Sequence, residues 1–232
     1  MSNFLELARD VALLSGAASA PPSVTGQTGR LAKVVAWTAK AWEMIQLANP
    51  NWSFLRAEWS GALAPGETGY TPADLDIVER FGEFIGDGGS YRPVTLYDPD
   101  IGVDDEGPLE QVSWELWRSR YGRGGQSPSR PAHYAIAPNQ GLRFGPAPDR
   151  AWLVGGEYRK APQLLAADED VPDLPARYHQ IIVWKAILLL GEHDEAVQGV
   201  ALAEREYLPL LNQLQRDHLP AISARGGEPP IA

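Results

Sequence analysis

Cysteine is absent from the 232 residues, which excludes disulfides and thiolate metal sites and leaves the redox compartment unread. Histidine is scarce. His133, His179, His193 and His218 are the whole set, and no two of them stand at i, i+3 or i+4. There is no His-x-His and no His-Glu-x-x-His, and a scattered histidine is far more often a surface or core residue than a zinc ligand. Long apolar runs are missing too. The longest, "AILLLG" after Lys185, is far below the roughly 20 residues that span a bilayer. Glu6, Arg9 and Asp10 interrupt the N-terminal segment, which excludes a secretory h-region. The expectation is a soluble chain made in the cytoplasm.

Catalytic and nucleotide-binding spacings are equally lacking. No Gly-x-Ser-x-Gly elbow occurs. "GRGGQS" at 122–127 has glycines without the spacing of a phosphate loop, and no Lys-Ser or Lys-Thr follows it. "DPDIGVDDEG" at 98–107 resembles a calcium loop until the positions are counted. With Asp98 first, the fifth position is Gly102 and the twelfth is Leu109, where oxygen ligands are needed. It reads instead as a solvated acidic loop. No cofactor is expected. Bases are also in deficit: 20 Lys and Arg stand against 30 Asp and Glu, for a net charge of −10 and a pI near 4.9. That excludes a protein built to grip nucleic acid, but not a surface that DNA slides past.

What is present is a globular composition, 44% hydrophobic, with eight tryptophans and 43 glycines and prolines together, which promises many turns. Asn3–Ser15 carries Phe4, Leu7, Val11 and Leu14 at helical spacing, and Gly16 stops it. Arg30–Ala48 is amphipathic through Leu31, Val34, Thr38, Trp42 and Ile45, and ends at "NPN". From Trp52 the aromatic and β-branched flavour suits strands, as it does at 92–99, 132–138, 141–148 and 150–162. The last three read as an antiparallel meander. One helix is expected within this region, at about 107–121, with Pro108 in its first turn and Gly122 after it. A short helix from Pro72 to Phe81 is a further expectation. Ala176–Leu190 is apolar on so much of its surface that it belongs at the centre of a bundle, and Asp173 is placed to cap it. Glu195–His218 forms the last helix, kinked at Pro209. The tail has no period.

The predicted fold class is α+β. A helical pair at 1–51 and another at 163–220 form one bundle, with a β-rich insertion at 52–162 and a flexible tail at 221–232. Charge comes in blocks. Residues 98–115 hold seven acids and no base, 117–160 hold eight bases against two acids, and 168–173 hold four acids. Two readings of these blocks carry equal weight: contacts between copies, where complementary patches fix register, or ordinary surface pairing within one chain. On the first reading the subunit-interface candidates are Arg159, Lys160, Asp168, Asp170, Asp173 and Arg177.

An enzymatic alternative would use Glu192, Asp194 and Glu195, or the acids of 168–173, as a carboxylate pair. A carbohydrate-binding module would use tryptophans. Trp37, Trp42, Trp114, Trp117 and Trp184 lie on apolar stripes or ridges, which leaves Trp52, Trp59 and Trp152 as free candidates. Both alternatives are weaker than the structural reading.

Three stretches carry a resemblance: "AWEMIQLANPNWSFLRAEWSG" (41–61), "EYRKAPQLLAADEDVPDLPARYHQIIVWKAILLLGEHDEA" (157–196) and "EREYLPLLNQLQRDHLP" (204–220). In wording and order they are similar to the adaptor proteins of tailed bacteriophages, the head-to-tail connectors below the portal. The resemblance implies a virion structural protein without an active site. It implies a ring, commonly of twelve copies, that touches portal on one side and a tail or nozzle protein on the other. DNA would pass through the ring without sequence-specific binding. The tail without period is expected to order on the portal as it binds, so residues 205–232 are the expected contact, with Arg205, Arg216, His218 and Arg225 as candidates. Another ring-forming head-completion or tail-terminator protein is the alternative within the same class.

Overall fold

Helix α1 (Phe4–Ser15) is fixed at both ends by its own sequence. Asn3 Oδ1 accepts from the Glu6 N–H at 2.9 Å while the Glu6 carboxylate accepts from the Asn3 N–H at 3.2 Å, a reciprocal cap. Gly16, at φ 63°, ends it in the left-handed conformation that costs glycine nothing. Phe4, Leu7, Ala8, Val11 and Ala12 form its buried stripe. The computed structural model describes residues 1–88, 91–124, 127–193 and 199–220.

Contacts divide the chain into two compact units, Met1–Leu55 with the residues from Pro162 onward, and Arg56–Ala161. The first unit is helical: α1, α2 (Gly29–Leu47), α4 (Gln180–His193) and α5 (Val200–His218). Helix α4 touches each of the other three, and that is why its sequence is apolar nearly all round. Ile181, Ile182, Val183, Ala186, Ile187, Leu189 and Leu190 are all buried. Helix α5 packs more lightly, burying Ala203 and Leu214 and leaving Leu208 exposed.

Among the described residues the second unit holds nine strands and a short helix: β1 (Arg56–Leu63), β2 (Gly69–Tyr70), β3 (Phe81–Phe84), β4 (Thr95–Tyr97), β5 (Gly107–Pro108), β6 (Glu110–Gln111), α3 (Trp114–Arg120), β7 (His133–Ile136), β8 (Leu142–Gly145) and β9 (Trp152–Lys160). One sheet runs β1-β9-β4-β5, with β3 also on β9, and the other runs β2-β8-β7-β6. All ladders are antiparallel except β6 on β7. Alternation sorts the long β1–β9 pair cleanly. Trp59, Leu63, Trp152, Val154 and Tyr158 face a core shared with Leu96, Tyr134, Leu142 and Phe144. Glu58, Ser60 and Ala62 are exposed on the other face. The fold is α+β, as the sequence predicts.

Several local expectations are corrected. The helix predicted at about 107–121 is confined to Trp114–Arg120. Ser113 is its true cap, accepting from the Leu116 N–H at 3.2 Å, and the residues before it are drawn into two ladders, β5 on β4 and β6 on β7. Proline lacks the amide N–H and suits a strand edge as well as a first helical turn, so Pro108 alone did not discriminate. The predicted meander is a hairpin of β7 and β8 only, because β9 turns into the other sheet to pair with β1, β3 and β4. The predicted helix from Pro72 to Phe81 is a single 3₁₀ turn at Ala73–Leu75, ended by Asp76 at φ 53°. Ser53–Leu55 is likewise a 3₁₀ turn, so the strand expected from Trp52 begins at Arg56. Trp52, Trp59 and Trp152 are buried, not free, while Trp37, Trp114 and Trp184 are only half-buried. Asp173 does not cap α4: a 3₁₀ turn at Ala176–Tyr178 intervenes, and the helix starts at Gln180. The last helix starts at Val200, after Gly199 at φ 87°. Its expected beginning at 194–198 and the tail at 221–232 lie outside the described residues.

Candidate functional site

The acidic crossing at 163–179 is a joint, built almost entirely from hydrogen bonds to main-chain groups. Asp168 Oδ1 accepts from the Val24 N–H at 2.6 Å and the Ser23 hydroxyl at 3.0 Å. Asp170 Oδ2 accepts from the N–H groups of Ala166 and Ala167 at 2.6 and 2.8 Å. The carbonyls of Asp170 and Asp168 then accept from the N–H groups of Phe4 and Leu5 at 2.7 and 3.2 Å. A helix start leaves such donors without partners within the helix, and here a segment more than 160 residues away supplies acceptors.

Gln163 and Gln46 form the second half of the joint. Gln46 Oε1 accepts from the Gln163 N–H at 2.7 Å, and Gln46 Nε2 donates to the Gln163 carbonyl at 3.0 Å. Gln163 Oε1 in turn accepts from Trp42 Nε1 at 3.1 Å and from the Asp173 N–H at 3.0 Å. Sequence reasoning passed over both glutamines. The available signal was a polar residue four after Trp42 on the buried stripe of α2, where it had to find partners.

His179 is 2% exposed. Its Nδ1 accepts from the Ser2 N–H at 3.2 Å, which leaves Nε2 to donate to the Leu174 carbonyl at 2.9 Å. Burial pushes the imidazole below its ordinary range, and the N-terminal ammonium adds to this, against the two main-chain bonds. His218 is lowered as well, by burial and by the Arg177 guanidinium, with Asp217 opposing. Its Nδ1 meets Ser53 Oγ at 2.8 Å and its ring lies edge-on to Phe54 and Tyr178. Both histidines therefore hold a proton less tightly when folded than in the unfolded chain, whose value is near 6.5. Their stabilisation is complete above that value and is lost as pH falls through it toward the folded values. Urea unfolding followed at pH 7.5 and 5.5 is expected to show lower stability at the lower pH, and His179→Gln is expected to flatten that slope. An unchanged slope in the variant removes His179 from the account.

The remaining interface candidates fall as follows. Arg159 pairs with Glu83 on β3, and Lys160 is the last residue of β9. Arg177 is exposed, pairs with Asp217 at 3.1 Å and lies 4.8 Å over the Tyr178 ring. Tyr178 also donates its hydroxyl to Asp217. The structure thus gathers Asp168, Asp170, Asp173 and Arg177 in the helical unit and puts Arg159 and Lys160 in the other. Of the portal candidates, Arg205 pairs with Glu206 at 2.9 Å. Arg216 lines a groove of about 870 Å³ with Asn49, Asn51, Asn212, Gln215 and Leu219. Arg225 lies outside the described residues.

The first two charge blocks pair with each other within the chain. Arg150 meets the buried Asp98 carboxylate at 2.8 Å, and Arg130 meets Asp105 at 2.8 Å and its carbonyl at 2.9 Å. The Arg130 hydrogen bond holds the Asp105 carboxyl below the usual carboxylate range. Both guanidiniums lie over the Trp152 ring, 4.8 and 4.7 Å from its centroid. The loop that imitates a calcium site is therefore closed by two arginines.

Every buried carboxylate and imidazole described above serves the scaffold, and among the described residues no cluster of three His, Asp or Glu side chains is arranged to hold a metal. Nor is any described helix long and apolar enough to cross a membrane. An α+β protein whose buried polar side chains are directed largely at its own main chain is the class these features define. The family match is more specific: residues 2–226 match the SU10 adaptor protein family, and the chain belongs to it. It is a bacteriophage head-to-tail adaptor, a structural class of virion protein whose partners are portal and tail. No protein of curated function matches the chain.

Proposed function

We propose that copies of this protein close into a ring beneath the portal, twelve being the number the resemblance implies. The ring continues the DNA channel and presents its far side to the tail. The observation that carries this reading is the match to the adaptor family over nearly the whole chain. The net charge of −10 supports it, because a conduit should repel phosphate rather than hold it. Arg177, Arg159, Lys160 and the acids at 168, 170 and 173 are the proposed contacts between copies, and residues from Arg205 onward, with Arg216, His218 and Arg225, are the proposed contacts with portal.

The test is to mix purified protein with purified portal rings and image the product. A second ring stacked coaxially on the portal is the expected result, and no association at any salt concentration overturns the proposal. Deleting 221–232 is expected to weaken portal binding; full binding by the truncated chain removes the tail from the contact.

A further inference from the structure

Helix α5 has a second face besides the one that buries Ala203 and Leu214. Pro209, Asn212, Arg216 and Leu219 are three, four and three residues apart, so they fall on one stripe. That stripe, with Gln215, lines the groove of about 870 Å³, and Asn49 and Asn51 line it from the segment that follows α2. All of these residues belong to the helical unit.

The described lining carries four carboxamides, one guanidinium and no carboxylate, in a chain of net charge −10. Other charges along α5 are matched: Arg205 pairs with Glu206, and Asp217 with Arg177. The side chains of Asn212, Gln215 and Arg216 make no hydrogen bond or ion pair among the described residues. Pro209 adds a main-chain acceptor. It has no N–H, so the Arg205 carbonyl lacks the hydrogen bond that the helix would give it. Arg205 and Pro209 are both exposed, which leaves that carbonyl open to an incoming donor.

A carboxamide offers an acceptor and two donors, the complement of a peptide group. A docking helix keeps its main-chain groups paired along its length, and would leave these amides unanswered. An extended segment brings its N–H and C=O groups free. The guanidinium sets the charge. The C-terminal ends of α2 and α5 disfavour a bare anion, so a carboxylate is held here only where Arg216 reaches it.

We propose that this groove binds an extended segment of a partner protein that carries aspartate or glutamate. Asn212 and Gln215 pair with the main chain of that segment, and Arg216 takes its carboxylate. Pro209 and Leu219 supply the apolar contact. Such binding is read without portal, so failure here leaves the ring standing, and failure of the ring leaves the groove standing.

The probe is a library of capped hexapeptides selected on the full-length protein, the strongest binder then being titrated while side-chain NH₂ signals are followed by NMR. An acidic residue at one fixed position is the expected outcome, with the largest shifts at Asn212 and Gln215. Changing that residue to its amide, or Arg216→Gln in the protein, is expected to weaken binding at least about tenfold. The double variant Asn212→Ala and Gln215→Ala is expected to abolish it. Should the double variant fail to fold, a peptide methylated on its amide nitrogens tests the same contacts and is expected not to bind. The proposal is overturned if no acidic position is selected, if Arg216→Gln binds equally well, or if the shifts fall outside the groove. Shifts that appear only after 221–232 is deleted would assign the groove to the tail of the chain itself. Shifts that follow protein concentration without peptide would assign it to a second copy, and either result overturns the proposal.

Discussion

Replacing Trp42 by alanine is expected to lower the stability of the helical unit by about 3–5 kcal/mol, the usual cost of deleting a fully buried aromatic. Trp42 is 0% exposed, stacks on Phe54 with ring centroids 5.9 Å apart, and donates to Gln163 Oε1. Trp42→Phe separates the contributions. It keeps much of the ring and removes the indole donor, while Gln163 Oε1 retains the Asp173 N–H. A loss nearer 1 kcal/mol is expected for the phenylalanine variant, the net worth of one hydrogen bond. Urea unfolding of both variants decides it. Equal losses would mean that the polar joint, rather than ring packing, dominates at this position.

The second large effect lies in the β-rich unit. Asp87→Ala is expected to cost about 2–3 kcal/mol, because it strands the buried Tyr134 hydroxyl and the half-buried Gln111 N–H instead of merely deleting a contact. Asp87 Oδ1 accepts from the Tyr134 hydroxyl at 2.8 Å and Oδ2 from the Gln111 N–H at 2.9 Å, while the Asp87 N–H donates to Gln111 Oε1 at 2.7 Å. Tyr134 is fully buried, and burial, followed by this carboxylate, pushes its phenol far above the ordinary range. Asp87→Asn keeps an acceptor for the Gln111 N–H, and its NH₂ can donate to the Tyr134 hydroxyl, which accepts as well as donates, so it is expected to lose less than alanine. Tyr134→Phe is expected to lose less, since Asp87 keeps its bonds to Gln111. An Asp87→Ala variant as stable as the parent in thermal unfolding would refute the clasp.

The helices were legible because their signals are local. Gly16 marks the end of α1 directly after its 12 residues, and the stripes on α2 and α4 declare their buried faces. The small strands were not legible. Glu110–Gln111 has no strand signal of its own and becomes one because β7, more than twenty residues later, offers it a ladder. Tryptophan exposure failed for a related reason: Trp52 and Trp59 look free until the neighbours that bury them are known. The acidic crossing was legible in outline as a joint rather than an active site. Its partners Val24, Phe4 and Gln46 were not, since nothing near Asp168, Asp170 or Gln163 names them.

The bonds from Phe4 and Leu5 to Asp170 and Asp168 also set an order of events during synthesis. The β-rich unit, Arg56–Ala161, is contiguous, so all of its contacts are available once that stretch has left the ribosome. The helical unit must wait. Helix α1 emerges first but lacks both its acceptors and α4, the helix against which it packs, until the chain has passed His193. The apolar faces of α1 and α2 are therefore the surfaces of the nascent chain that stay uncovered longest, and the ones a holding chaperone would meet first.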